Sequence, residues 1–171
     1  MDERIAPTKK TRILIVSGLS GAGKTLALKK LEDMHFEAID NVPLRMLSDV
    51  VLSESEQPDA RTKAGVAIGI DTRSRDFSTE QFLMQLVSLT DKTGIAVELL
   101  YLDCEDTVLQ QRYQETRRRH PLSGDQPVQH GIDLERAMML PLLEIADHIV
   151  DTTTLTTPEF HQLMDKKFHP T

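Results

Sequence analysis

The chain has 171 residues, of which 39% are hydrophobic and 27% charged, enough apolar material for one domain with a buried core. A net charge of −7 argues against a chain built to bind nucleic acid along its whole surface, and a single cysteine, Cys104, excludes an internal disulfide framework. The polar N-terminus lacks the apolar stretch of a signal peptide, and no segment approaches ~18 uninterrupted apolar residues, so nothing is expected to enter a membrane, and a reducing cytoplasm fits.

In chain order, Arg12 to Ser17 reads as a buried strand that runs directly into Gly18-Leu19-Ser20-Gly21-Ala22-Gly23-Lys24-Thr25. Ala27, Leu28, Leu31 and Met34 then recur at helical spacing. Phe36 to Asp40 is a second short strand, and Asn41-Val42-Pro43 turns into a helix carrying Leu44, Leu47, Val50 and Val51. Ser53 to Lys63 is polar and reads as a surface loop, followed by a buried-type strand from Gly65 to Asp71.

Ser78 with Gln81 forms a capping box, and Phe77 with Phe82 a hydrophobic staple, at the start of a helix that Gly94 stops. Ala96 to Asp103 is the fourth strand, and a helix through Leu109, Arg112 and Tyr113 is expected to persist to about His120-Pro121. Pro121 to Gly131 reads as a flexible, lid-like loop. A helix from about Asp133 to Ala146 contains Pro141 and should be kinked or split there, ahead of a last strand at His148 to Asp151 and a terminal helix opened by Thr157-Pro158-Glu159. The alternation predicts an α/β fold of the phosphate-loop NTPase type, kinase-like, with five parallel strands covered on both faces.

The segment Gly18 to Thr25 is G-x-x-x-x-G-K-T, in which tightly wound backbone N–H groups and a helix N-terminus face anionic phosphates. Gly18, Leu19, Ser20, Gly21, Ala22, Gly23, Lys24 and Thr25 are therefore nucleotide-binding candidates. Lys24 would reach the β/γ oxygens and Thr25 would hold Mg²⁺. Ligands collect at the carboxyl ends of parallel strands, where Asp40, Asp71, Asp103 and Asp151 stand.

Asp71 is the first choice for organising Mg²⁺, because in a kinase-like strand order it ends the strand beside the loop strand. Asp103 is the rival, although the stronger reading is that it helps cap the next helix. Asp40 is a candidate base, substrate ligand or Mg²⁺-water ligand that can also merely shape its turn. With Lys24, Asp71 and Asp40 form the candidate catalytic set. Arg73 and Arg75 can clamp a phosphate or be solvated loop charges. Arg112 and Arg119, two helical turns apart, would share one face towards the phosphates while Arg117 and Arg118 point away. The run Arg117-Arg118-Arg119-His120 reads either as the hinge of a lid or as cations pairing with a helix C-terminus.

Together, Gly18 to Thr25, Ala38 to Leu44, Ile70 to Arg73, Leu102-Asp103, Arg112-Tyr113, Thr116 to Leu122 and Ala146 to Thr152 resemble the RNase adapter RapZ (YvcJ-like) nucleotide-binding family along nearly the whole chain. The resemblance implies an N-terminal kinase-like domain that binds ATP or GTP with Mg²⁺ and hydrolyses it weakly. It implies a bacterial cytoplasmic regulator of amino-sugar metabolism that presents a small RNA to an endoribonuclease. Asp71, Thr72, Arg73 and Ser74 occupy a segment that the family usually reads Asp-Val-Arg-Asn and uses as a guanine-nucleotide contact, which leaves ATP and GTP both open. Family members continue beyond the point matching Thr171 into a C-terminal domain associated with RNA, so RNA and endoribonuclease are expected as partners only of the full-length protein. A homo-oligomer is compatible with this reading. More distant likeness to gluconate, shikimate and adenylate kinases keeps a small-molecule kinase as the alternative.

Overall fold

The structure, a computed structural model, describes residues 11–56, 64–73 and 76–169. Five strands form one parallel sheet in the order β2-β3-β1-β4-β5: β1 Ile13–Gly18, β2 Phe36–Ile39, β3 Gly65–Gly69, β4 Val97–Asp103 and β5 His148–Asp151. β1 is central because Ile13, Leu14, Ile15 and Val16 are all fully buried, as a strand covered on both faces requires. Its pairing with β3, from Ile13↔Val66 to Val16↔Gly69, sets Asp71 beside the end of β1 as the strand order predicted. The expected five-stranded kinase-like architecture is the one observed.

The helices are α1 Lys24–Asp33, α2 Leu47–Ser55, α3 Thr79–Thr93, α4 Asp106–Thr116, α5 Val128–Ile145 and α6 Thr157–Phe168. A 3-10 turn, Leu44–Met46, leads into α2. α3 begins at the foreseen cap with half of the expected box: Ser78 Oγ accepts from Gln81 N–H at 3.4 Å, and the Phe77 and Phe82 rings lie 6.2 Å apart. Its C-terminus closes on Gly94 at φ 66, a left-handed position that suits glycine. α6 has a full capping box, in which Thr156 and Glu159 each accept from the other's backbone N–H.

Four expectations are corrected. Ser53 to Ser55 belong to α2 rather than to the loop, the rest of which, to Lys63, lies outside the described residues. α4 stops at Thr116, short of His120, because Arg117 turns left-handed at φ 53. The Pro121 to Gly131 tract is a series of turns and then the first turn of α5, which starts five residues earlier than the sequence pattern suggested. Helix α5 also runs unbroken through Pro141. Beside the weakened turn, Met138 O accepts from Thr79 Oγ1 at 2.7 Å, an outside donor on the stretch that proline disrupts.

Among the described residues, no helix is long and apolar enough to cross a membrane. The core lies on both faces of the sheet, with Leu28 and Leu31 of α1, Phe82 of α3, Met139 and Leu142 of α5 and Phe160 and Phe168 of α6 all buried.

Candidate functional site

The cleft at the carboxyl end of the sheet holds about 490 Å³ and is lined by the Gly18 to Thr25 loop, Asp71, Arg73, Arg112, Tyr113 and the arginines after α4. The loop leaves β1 through Gly18 at φ 139, where any Cβ would stand 2.3 Å from Leu102 O. Only glycine lets the chain turn against β4 at that distance. The loop ends by starting α1, so the N–H groups of the first helical turn open into the cleft without internal partners.

Lys24 is buried on the floor of this cleft and salt-bridges two strand-end carboxylates, Asp71 and Asp40, the latter at 2.9 Å. Asp71 is 4% exposed and also accepts from Arg73 N at 2.9 Å and Arg73 Nη2 at 2.8 Å. Burial pushes the Asp71 carboxyl up, but hydrogen bonds from Arg73 and Lys24 outweigh it and hold the group below the ordinary carboxylate range. It is therefore ionised. Asp40 is 46% exposed, meets Lys24 and accepts from Asn41 N at 2.7 Å, which shapes the turn.

Thr25, in the first turn of α1, is exposed on the cleft wall, and its hydroxyl has no hydrogen-bond partner among the described residues. A free hydroxyl and an ionised carboxylate on one cleft are the donor set that Mg²⁺ uses together with substrate phosphates. The rival carboxylate, Asp103, is engaged elsewhere: it accepts from Cys104 N at 2.8 Å and from Arg136 Nη1 at 3.2 Å, and it does not cap α4, whose N-cap is Glu105 without a side-chain bond. Asp151 likewise serves its own turn, accepting from Thr153 N at 2.9 Å.

The arginines do not form the helical pair that their spacing suggested. Arg112 donates to Gly21 O at 2.8 Å and to Thr152 O at 3.1 Å, so it braces the loop from behind the β5–α6 connection. Arg119 lies beyond the end of α4, is 84% exposed, and among the described residues has only a 3.9 Å contact to Asp125. Arg118, expected to face away, borders the cleft with Arg119. Arg73 is an ion-pair partner of Asp71, whereas Ser74 and Arg75 lie outside the described residues.

Sequence reasoning missed Glu135. Its side chain reaches from α5 to the loop apex, 1% exposed. Its two carboxylate oxygens accept from Ser20 N at 2.6 Å, Ser20 Oγ at 2.7 Å and Thr72 Oγ1 at 2.6 Å. His120 Nε2 stands 3.2 Å from the same carboxylate, and His120 Nδ1 accepts from Leu122 N–H at 3.0 Å, so the Nε2 nitrogen carries the proton and donates. Burial raises the Glu135 pKa, but the bonds from His120, Thr72 and Ser20 together bring it below the ordinary value. The only trace in the sequence is Gly131, one turn before Glu135, where a Cβ would lie 2.5 Å from His120 Nδ1.

Thr152 completes the collar, with its hydroxyl donating to Ala22 O at 2.6 Å. Burial against the loop pushes the Tyr113 phenol up to about 12, and its ring edge would meet a Cβ at Gly21 at 3.3 Å.

Comparison with known proteins places this geometry in context. A sugar kinase from Janibacter sp. HTCC2649 superposes with a TM-score of 0.63 at 18% identity, covering 94% of this chain and 96% of that one. Shikimate kinase from Acinetobacter baumannii, in complex with shikimate, gives 0.60 at 16% identity over 92% of each chain. At such identities the likeness shows the fold alone: a phosphate-loop kinase fold. A nucleotide-binding protein of Paramagnetospirillum magneticum is 48% identical over 157 residues, which is 92% of this chain and 50% of that protein. One of Zymomonas mobilis is 42% identical, over 93% of this chain and 49% of its own length. The chain thus spans about half the length of these curated relatives. The family model described as the RapZ-like N-terminal domain matches residues 11–171, and the chain belongs to that family.

Proposed function

We propose that the domain binds a nucleoside triphosphate, ATP or GTP, with Mg²⁺, and turns it over slowly as a regulatory element. The observation that carries this reading is the setting of Lys24: a buried cation on the floor of a cleft walled by Gly18 to Thr25, salt-bridged to Asp71 and Asp40. An incoming β/γ-phosphate would take Lys24 as a charge-assisted donor, while Thr25 and Asp71 would hold the Mg²⁺ that neutralises charge on the phosphates. Gly18, Leu19, Ser20, Gly21, Gly23 and Arg73 line that pocket, and Ala22 and Thr72 are buried next to lining residues in the chain. Arg112, Leu155 and Thr156 line a smaller recess beside Gly21 to Gly23, which could take a nucleobase extending from phosphates held by the loop.

The curated relatives' printed names support nucleotide binding. In the full-length protein, the family resemblance extends the proposal to an RNase adapter acting in small-RNA processing and amino-sugar regulation. RNA and endoribonuclease would be met through regions outside this chain, and the cytoplasm would be its compartment. Calorimetry with Mg-ATP and Mg-GTP tests the core of the reading, and sub-millimolar binding of either supports it. Absence of binding by both overturns it.

A small-molecule kinase is the second reading, favoured by Asp40, a half-exposed carboxylate 2.9 Å from Lys24 and thus able to face an acceptor hydroxyl. Tenfold stimulation of ADP release by one compound in a sugar and sugar-phosphate panel selects it. Uniformly slow hydrolysis selects the regulatory reading.

A further inference from the structure

The segment carrying Arg117, Arg118 and Arg119 is fastened to the loop at both ends. Upstream, Arg112 donates to Gly21 O at 2.8 Å. Downstream, His120 reaches Ser20 through one shared carboxylate, Glu135, whose oxygens also hold Thr72 after β3. Ser20 and Gly21 are consecutive, so the two ends of the arginine segment meet adjacent residues of the phosphate loop. The three arginines themselves are exposed, and among the described residues Arg119 has a single long ion contact.

We propose that Glu135 is a positioning residue that couples nucleotide occupancy to the arginine segment. It fixes the apex of the loop for phosphate, and through His120 it carries any displacement of Ser20 to the base of that segment. The chemistry suits this task. His120 is a neutral imidazole with both nitrogens committed, Nδ1 to Leu122 N–H and Nε2 to Glu135, so the ring cannot turn without losing two buried hydrogen bonds. Gly131 keeps the ring seated, since a side chain there would occupy the space of Nδ1. Ser20 presents both its amide and its hydroxyl to the carboxylate, so a shift of the loop apex strains two contacts to Glu135 together. Adding phosphate oxygens in the loop and moving the arginines over the cleft then become one linked equilibrium.

This inference rests on the nucleotide reading above, and its test separates the two. Trypsin cuts after Arg117, Arg118 and Arg119, so cleavage there reports the arginine segment directly. The full chain is digested with and without a non-hydrolysable Mg-ATP or Mg-GTP analogue, at concentrations that calorimetry shows to be saturating for each variant. Wild type is expected to be cut at least fivefold more slowly when saturated. Glu135→Gln, whose amide keeps an acceptor for Ser20 N–H and donors for the two hydroxyls, retains that protection. Glu135→Ala binds at least tenfold more weakly and, once saturated, is cut within twofold of its free rate. If Glu135→Ala does not fold, His120→Asn decides: it keeps an acceptor for Leu122 N–H but cannot reach Glu135, and it too should lose the protection. Protection equal to wild type in a saturated Glu135→Ala or His120→Asn, or no protection of saturated wild type, overturns the coupling while leaving nucleotide binding intact. Failure of wild type to bind either analogue overturns the nucleotide reading instead.

Discussion

The two flanks of the cleft are built on opposite terms. On the sheet side, Lys24 and Asp71 are buried, each meets more than one partner, and every group is fixed by a strand end or a helix start. On the helix side, Arg117, Arg118 and Arg119 stand in solvent after the end of α4, and only their neighbours on either side are anchored. The difference teaches that affinity and response are separable in this domain. A rigid, desolvated wall supplies strong electrostatics, and a solvated segment supplies charge that can move.

The comparison is broken most severely by removing the sheet-side cation. Lys24→Ala is expected to weaken Mg-ATP or Mg-GTP binding by about a hundredfold or more in calorimetry, because a buried charge-assisted contact to phosphate disappears. The same variant leaves Asp71 with Arg73, so the fold should persist by circular dichroism.

Next in size is Gly131→Ala. In an open helical position this change stabilises by up to ~1 kcal/mol, but here the new methyl would meet His120 Nδ1 at 2.5 Å and Ser123 N at 2.9 Å. Destabilisation of about 1–3 kcal/mol in urea unfolding is expected instead. A stabilised variant would show that the seat of His120 is softer than described.

Asp71 and Glu135 sharpen the comparison through pH. Both carboxyls titrate below their ordinary values of 3.8 and 4.5 in the fold, so the stability they contribute is fully present above those values. It is lost as pH falls through the depressed ones. Stability measured by urea unfolding should therefore decline as pH falls below those ordinary values, and Glu135→Gln should flatten part of that decline. An unchanged acid limb in Glu135→Gln would remove Glu135 from the account. The smallest effect belongs to the other flank: Arg119→Ala, deleting one exposed 3.9 Å contact, should change stability by less than about 0.5 kcal/mol.

The legible parts of the molecule were those with local grammar. The G-x-x-x-x-G-K-T run, the Ser78 start, the Gly94 stop and the apolar strands each state their structure within a few residues. Asp71 was placed by the kinase-like strand order, in which the third strand in sequence lies beside the loop strand, and β3 does pair with β1. Glu135 had no such grammar: it sits 115 residues from Ser20, and nothing local marks it as buried. The end of α4 was misplaced for a different reason. Thr116 and Arg117 are acceptable inside a helix, and the turn at Arg117 is set by where His120 is pinned rather than by preference.

That left-handed arginine has a mechanical meaning. A non-glycine residue at φ 53 costs of order 1 kcal/mol, and the strain sits at the first of the three arginines. Relaxing Arg117 to a right-handed conformation would lengthen α4 and begin to wind Arg118 and Arg119 onto it. Arg119 would then come round to the side of Arg112, seven residues earlier. The end of α4 thus keeps a small backbone strain at the base of the arginine segment.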